Sequence, residues 1–235
     1  MSRPGLSRVV GVLGGMGPAA TLEFQARLLA ATPAARDQDH LRVIVDCNPK
    51  IPDRNAAIAG AGPSPGPVLA AMAKGLEAAG AAFLVMPCNT AHAFAGDIRA
   101  AVTIPLISLI EAAADEAARV APKAAVGVLA VDGTRAARLY ETALAERGLS
   151  TLMLDADQQA RFMACIYAIK AGDTGAAIRG EIGALARTLS ARGARAVIAA
   201  CTELPLVLGP ADLDVPHIDS TAVLVAATLD HALGA

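Results

Sequence analysis

Slid against itself, the chain places its second half on its first, and this duplication constrains the fold more than any single motif does. At an offset of 113, Leu76 falls on Leu189, Gly80 on Gly193, Ala81 on Ala194, Val85 on Ile198 and Cys88 on Cys201. Ile104-Pro105-Leu106-Ile107-Ser108 lies over Val215-Pro216-His217-Ile218-Asp219 at 111, and Gly11-Val12-Leu13 over Gly127-Val128-Leu129 at 116. Such small drifts are the signature of loop insertions and deletions. Short apolar runs ending in Gly, Pro or Asn alternate with Ala-rich helical stretches, the pattern of a parallel sheet covered by helices. The expected class is therefore α/β, with two similar four-stranded units over roughly residues 9–117 and 124–229. Strands are expected at Val9–Leu13, Val43–Asp46, Phe83–Met86, Leu106–Ile107, Ala125–Leu129, Thr151–Leu154, Ala196–Ala199 and His217–Ile218. Pro18 suits the first turn of a helix, and Thr134 is expected to cap the stretch from Arg135.

Composition narrows the function classes. With 54% hydrophobic and 18% charged residues the chain can bury a core, which excludes a disordered or collagen-like protein. A net charge of −2, 3% aromatic residues and no Trp leave neither a surplus of cations for phosphates nor a platform for stacking bases, so no nucleic-acid partner is expected. No apolar run reaches the ~18–20 residues a spanning helix needs, so no membrane partner is expected either. Arg3 and Arg8 before Val9–Leu13 imitate a signal peptide, but Gly14-Gly15-Met16-Gly17-Pro18 interrupts the apolar run and the segment has its internal counterpart. Four widely spaced cysteines form no CxxC metal pattern and no disulfide scaffold, so a cytoplasmic protein with free thiols and no bound metal is expected.

Two of those thiols form a matched pair. Cys88 in Pro87-Cys88-Asn89-Thr90-Ala91-His92 and Cys201 in Ala200-Cys201-Thr202-Glu203-Leu204-Pro205 each follow the third strand of their unit, at the edge where open parallel sheets bind ligands. If the two edges faced each other, they would enclose a cleft with one thiol on each wall; one continuous eight-stranded sheet is the alternative. A thiol at a helix N-terminus is expected to have a lowered pKa and to serve as a base. Cys47 and Cys165 lack matched partners and are expected to fill core space. Symmetric thiols suit removal of a proton from one face of a carbon and its return from the other, which inverts a stereocentre. His92 is expected to be structural, with a Cys88–His92 pair as the alternative. Glu203 is expected to support its loop, and Asp46 and Asp53 to be structural.

Gly15-Met16-Gly17-Pro18-Ala19-Ala20 fits G-x-G-x-x-A after a strand. Pro18 lacks an amide donor, however, and Asp46 lies 29 residues beyond Gly17 rather than about 20. No dinucleotide or other cofactor is therefore expected. The glycines are expected instead to let backbone amides approach a small anion.

Five motifs in order give the chain its resemblance to the aspartate/glutamate racemases, the cofactor-independent amino-acid racemases. They are Gly14-Gly15-Met16-Gly17-Pro18, Asn48-Pro49-Lys50-Ile51-Pro52-Asp53-Arg54, Pro87-Cys88-Asn89-Thr90-Ala91-His92, Ile166-Tyr167-Ala168-Ile169-Lys170-Ala171-Gly172 and Cys201-Thr202-Glu203-Leu204-Pro205. The Cys-Thr-Glu form resembles the aspartate racemase branch, where glutamate racemases of the cell-wall pathway usually carry Cys-Thr-His. The resemblance implies two α/β domains around a cleft, residues 1–104 plus 212–235 and residues 105–211, and commonly a homodimer. It implies Cys88 and Cys201 as the acid/base pair and no cofactor. It further implies Arg54 and Lys170 beside the substrate carboxylates, with Gly15, Met16, Asn89, Thr90, Thr134 and Thr202 as binding groups. The family's Leu-Ala-Thr-x-Gly-Thr stands here as Leu129-Ala130-Val131-Asp132-Gly133-Thr134, and Ala200 replaces a frequent Gly. The activity expected is interconversion of the L- and D-forms of an acidic amino acid, aspartate before glutamate. The alternatives are a maleate cis-trans isomerase using one cysteine as nucleophile, and a binding protein for an amino acid or dinucleotide.

Overall fold

The computed structural model describes residues 7–234, and Arg3 lies outside them. It contains two four-stranded parallel sheets of one topology. The first, in order β2-β1-β3-β4, comprises β1 (Val10–Gly14), β2 (Val43–Cys47), β3 (Phe83–Val85) and β4 (Leu106–Ile107). The second, in order β6-β5-β7-β8, comprises β5 (Ala125–Ala130), β6 (Ser150–Leu152), β7 (Ala196–Ala200) and β8 (His217–Asp219). All eight expected strands are present, β4 with the expected bounds and the others with ends displaced by at most two residues, and the chain forms two sheets rather than one.

The offsets found in the sequence are those of the strand register. Val10 pairs with Phe83 as Val126 pairs with Ala196, and Leu84 pairs with Leu106 as Val197 pairs with His217. Gly11 and Gly127 share a packing reason at the middle of their sheets. A Cβ on Gly11 would meet Ala81 Cβ and Leu84 Cδ2 at 2.8 Å, and one on Gly127 would meet Leu189 Cβ at 2.9 Å.

The longer connections are helical: α1 (Pro18–Ala31), α2 (Arg54–Ile58), α3 (Gly66–Ala78), α4 (Ala95–Ala101), α5 (Leu109–Val120), α6 (Asp132–Ala136), α7 (Leu139–Ala145), α8 (Ala156–Lys170), α9 (Ala176–Ala191) and α10 (Ser220–Leu233). Gly17 is the N-cap of α1 and Pro18 its first residue, where the missing amide is harmless. Asp155 and Gln158 close a reciprocal capping box on α8. The expectation for Thr134 is corrected: α6 starts from Val131 as N-cap, so Thr134 lies inside the helix, buried.

The chain divides into two compact units, one running up to Leu109 and resuming at Thr221, the other spanning Ile110–Ser220. Strand pairing moves the boundaries from those expected, because β4 pairs with β3 in the first unit and β8 with β7 in the second. The helices behind these edge strands belong to the opposite units. α5 is tied into the second by Arg147, which donates to Glu111 and Asp115 at 2.7 Å. α10 is tied into the first, where Arg8 N–H donates to Ala232 O at 2.9 Å and the His231 ring meets Phe83 edge-on. Each unit has its own core, around Leu69, Leu84 and Ile98 in the first and Phe162, Ile182 and Leu189 in the second. Among the described residues no helix is long and apolar enough to cross a membrane, and no group of His, Cys, Asp or Glu could hold a metal ion.

Candidate active site

In the first unit the candidate residues gather where β1 and β3 end. Gly15 has φ +97°, and a Cβ there would lie 2.4 Å from the Asn48 backbone, so only glycine lets the two loops approach so closely. Its amide donates to Thr21 Oγ1 at 2.9 Å, and that hydroxyl donates to Gly17 O at 3.0 Å. The Gly15 amide, expected to face an anion, is thus taken up by a hydroxyl at the start of α1. Met16 is buried in the first core. Arg54 opens α2, and its guanidinium donates to Pro52 O at 3.1 Å and Ile51 O at 3.4 Å. Among the described residues it makes no ion pair with a carboxylate. Asp53 caps α2, accepting from Ala56 N–H at 2.7 Å.

Cys88 follows β3 and is 6% exposed, with Asn89 and Thr90 buried beside it. The segment after it, Thr90–Phe94, is a 3-10 turn for which Asn89 provides no side-chain cap. His92 is 2.8 Å through Nδ1 from the Cys88 carbonyl oxygen, and its Nε2 accepts from Leu109 N–H at 3.1 Å. The latter bond requires a bare Nε2, which leaves the hydrogen on Nδ1 to donate to Cys88 O. His92 therefore holds the backbone of the Cys88 loop through both ring nitrogens, the structural role expected of it.

In the second unit Cys201 immediately follows β7 and is also 6% exposed. Its Sγ donates to Glu203 Oε2 at 3.0 Å, while Glu203 Oε1 accepts from Lys170 Nζ at the last residue of α8. Glu203 is buried and Lys170 partly exposed. The expectation of a lowered thiol pKa is corrected for Cys201. Burial, and then the Glu203 carboxylate, push its thiol well above the usual cysteine range, with Lys170 opposing in part. The turn that follows, Leu204–Leu206, is a short 3-10 segment, too brief for a macrodipole to offset burial. Tyr140, fully buried on α7, faces the same thiol, and burial followed by that thiol's charge push its hydroxyl far up.

Thr134 and Thr202 are buried in the second unit. Gln159 on α8 donates to Ala130 O at 3.0 Å and Asp132 Oδ1 at 2.7 Å, so it fixes the turn from β5 into α6 that carries Thr134. Sequence reasoning gave Gln159 no role, since nothing local marks a side chain that reaches back across 29 residues. Of the other cysteines, Cys165 lies in the second core as expected, and burial raises its thiol pKa. Cys47 departs from expectation: it ends the edge strand β2 and is exposed.

The sequence profile of the Asp/Glu/hydantoin racemase family matches residues 13–228. The broad-specificity amino-acid racemase RacX of Bacillus subtilis is 29% identical across 94% of this chain and 96% of its own. Among solved structures, the aspartate racemase of Picrophilus torridus superposes with a TM-score of 0.85 at 30% identity, covering 96% of this chain and 94% of that one. An aspartate racemase homologue from Pyrococcus horikoshii shares the fold, with a TM-score of 0.76 at 23% identity over 96% and 99% of the two chains. With the strand order, the duplicated thiols and a profile match over nearly the whole length in agreement, the chain belongs to the Asp/Glu/hydantoin racemase family.

Proposed function

We propose that the chain racemises an acidic amino acid, aspartate first, by proton transfer at Cα between Cys88 and Cys201 without a cofactor. The observation that carries this reading is the duplicated placement of the thiols, each buried and each at the carboxyl end of the third strand of its sheet. In this mechanism one sulfur, as thiolate, takes the Cα proton from one face of the substrate. The other, as thiol, donates a proton to the opposite face, and the roles exchange for the other enantiomer. The α-proton is weakly acidic, so the carbanion needs fixed donors on the adjoining carboxylate. Arg54 is assigned that role, because among the described residues its guanidinium has no carboxylate partner and it can hold one through paired hydrogen bonds. Asn89, Thr90, Thr134 and Thr202 supply further hydrogen bonds, Gly15 and Met16 shape the first-unit wall, and Lys170 adds positive charge. The remainder of the proposal is a homodimer working in the cytoplasm.

A second reading, racemisation of a wider set of amino acids, is favoured by one observation. Lys170 is ion-paired with Glu203, so of the two proposed substrate cations Arg54 alone has no carboxylate partner among the described residues. One such cation suffices for the α-carboxylate common to every amino acid. The test is incubation of the pure chain with single L- and D-amino acids, following optical rotation and Cα exchange. The first reading expects aspartate to turn over fastest; equal turnover of neutral amino acids would establish the second, and no turnover of any would overturn both.

A further inference from the structure

The duplication that matches the two thiols does not match their neighbours. At the same offset Asn89 falls on Thr202 and Thr90 on Glu203, so a neutral hydroxyl in the first unit stands where the second has a carboxylate. That carboxylate accepts from Cys201 Sγ at 3.0 Å through one oxygen and from Lys170 Nζ through the other. A carboxylate can accept from sulfur only while sulfur carries its hydrogen, and the other carboxylate oxygen is occupied by the ammonium. Among the described residues, Glu203 from its own loop, Lys170 from α8 and Tyr140 from α7 act on Cys201, and Thr202 Oγ1 donates to the Glu203 carboxylate at 3.5 Å. The first-unit loop is held by a histidine bonded to backbone.

We propose that Glu203, held by Lys170, is a positioning residue that fixes Cys201 as the proton-bearing member of the pair, so that Cys201 enters turnover as the acid and Cys88 as the base. The inference rests on the two-thiol reading above. In the forward half-reaction the Cα–H bond breaks to Cys88 sulfur and a new Cα–H bond forms with the proton released by Cys201. Turnover then leaves a Cys88 thiol and a Cys201 thiolate beside the Glu203 carboxylate. Two adjacent anions disfavour that form, and it relaxes when Cys201 takes a proton from water and Cys88 returns one. The enantiomer whose Cα–H meets Cys88 is therefore taken up by the more populated form. Because the two enantiomers have equal free energy, kcat/KM is equal in both directions, and the asymmetry shows as matching differences in kcat and KM.

The test reads the thiols without substrate. Cys88 and Cys201 are both 6% exposed, and the pH midpoint of each alkylation rate, which does not depend on access, reports thiolate content. With iodoacetamide, modified peptides quantified by mass and pH stepped from about 6 to 9.5, Cys88 should react about tenfold faster than Cys201 near pH 7.5. Glu203→Gln should raise the Cys201 rate about tenfold there and lower its pH midpoint. Lys170→Met removes the cation that opposes the raised Cys201 thiol and should slow Cys201 further; neither change should move Cys88. Lys170→Met keeps the test decisive should the buried Glu203→Gln fail to fold. Equal rates in the wild type, or an unmoved Cys201 midpoint in whichever variants fold, would overturn the inference and leave racemisation standing. Failure to racemise any amino acid would overturn the proposed function, and with it the enantiomer preference, whatever the alkylation order.

Discussion

The two sheets share strand order, direction and register, yet the loops that follow their third strands are held by different chemistry. After β3, the Cys88 loop is secured by a neutral device, the His92 ring bridging the carbonyl of Cys88 and the amide of Leu109. After β7, the Cys201 loop is secured by charge, with Glu203 between the thiol and Lys170. Backbone register depends on side-chain volume at a few tightly packed positions, and Gly11 and Gly127 show that requirement retained in both halves. Polar groups at a sheet edge are under no such packing constraint. A duplicated scaffold can thus keep two thiols in matching places while the side chains that hold their loops differ.

The largest effect should come from the feature the halves share. Cys88→Ala and Cys201→Ala should each lower racemisation by about 10³-fold or more, measured by chiral chromatography, since each face of Cα needs its own base. A variant retaining a tenth of the activity would break the symmetry the mechanism assumes. Next is a feature of the first half alone. Arg54→Leu should reduce kcat/KM by about 10- to 100-fold through loss of a charge-assisted pair of hydrogen bonds, and Arg54→Lys should not restore it. If the reduction is confined to aspartate, Arg54 holds the side-chain carboxylate; if it extends to neutral amino acids, it holds the α-carboxylate.

Smaller effects test the shared scaffold. Gly11→Ala and Gly127→Ala should each reduce unfolding stability by about 1–3 kcal/mol in urea titrations, because each new Cβ meets neighbouring carbons at under 3 Å. Unequal losses would show that one sheet yields where the other does not. Smallest is Cys47→Ala, which should change stability by no more than about 0.5 kcal/mol because the residue is exposed on an edge strand, whereas Cys165→Ala should cost about 1 kcal/mol from the core.

The scaffold was legible in the sequence because duplication and short apolar runs both report backbone periodicity. Every strand and the position of both thiols followed from them. Features formed by side chains meeting across long sequence separations were not legible. The ion pair between Lys170 and Glu203 spans 33 residues, and without it the local motif suggested a helix-lowered thiol pKa at Cys201 where burial and a carboxylate raise it. The substitution of Thr90 by Glu203 at the same offset was visible, but its meaning depends on what α8 brings to it. Cys47 was misplaced for a simpler reason, since apolar runs do not distinguish an edge strand from a central one. The unit boundaries differ from the expected ones because β4 pairs into the first unit and β8 into the second, where the resemblance placed them in the second and the first; α5 and α10 fall as it placed them.

The most direct test of the two-thiol account is racemisation of each aspartate enantiomer separately in deuterium oxide, with Cα deuterium measured in both the product and the recovered starting enantiomer during the first tenth of reaction. With two bases, the proton removed by one sulfur leaves with that sulfur and the new one comes from the other. The product should therefore carry solvent deuterium at Cα in nearly every molecule while the recovered starting enantiomer stays almost wholly protiated. Deuterium entering both enantiomers at the same rate, or product that keeps the original proton, would mean that a single group serves both faces, and would contradict the account.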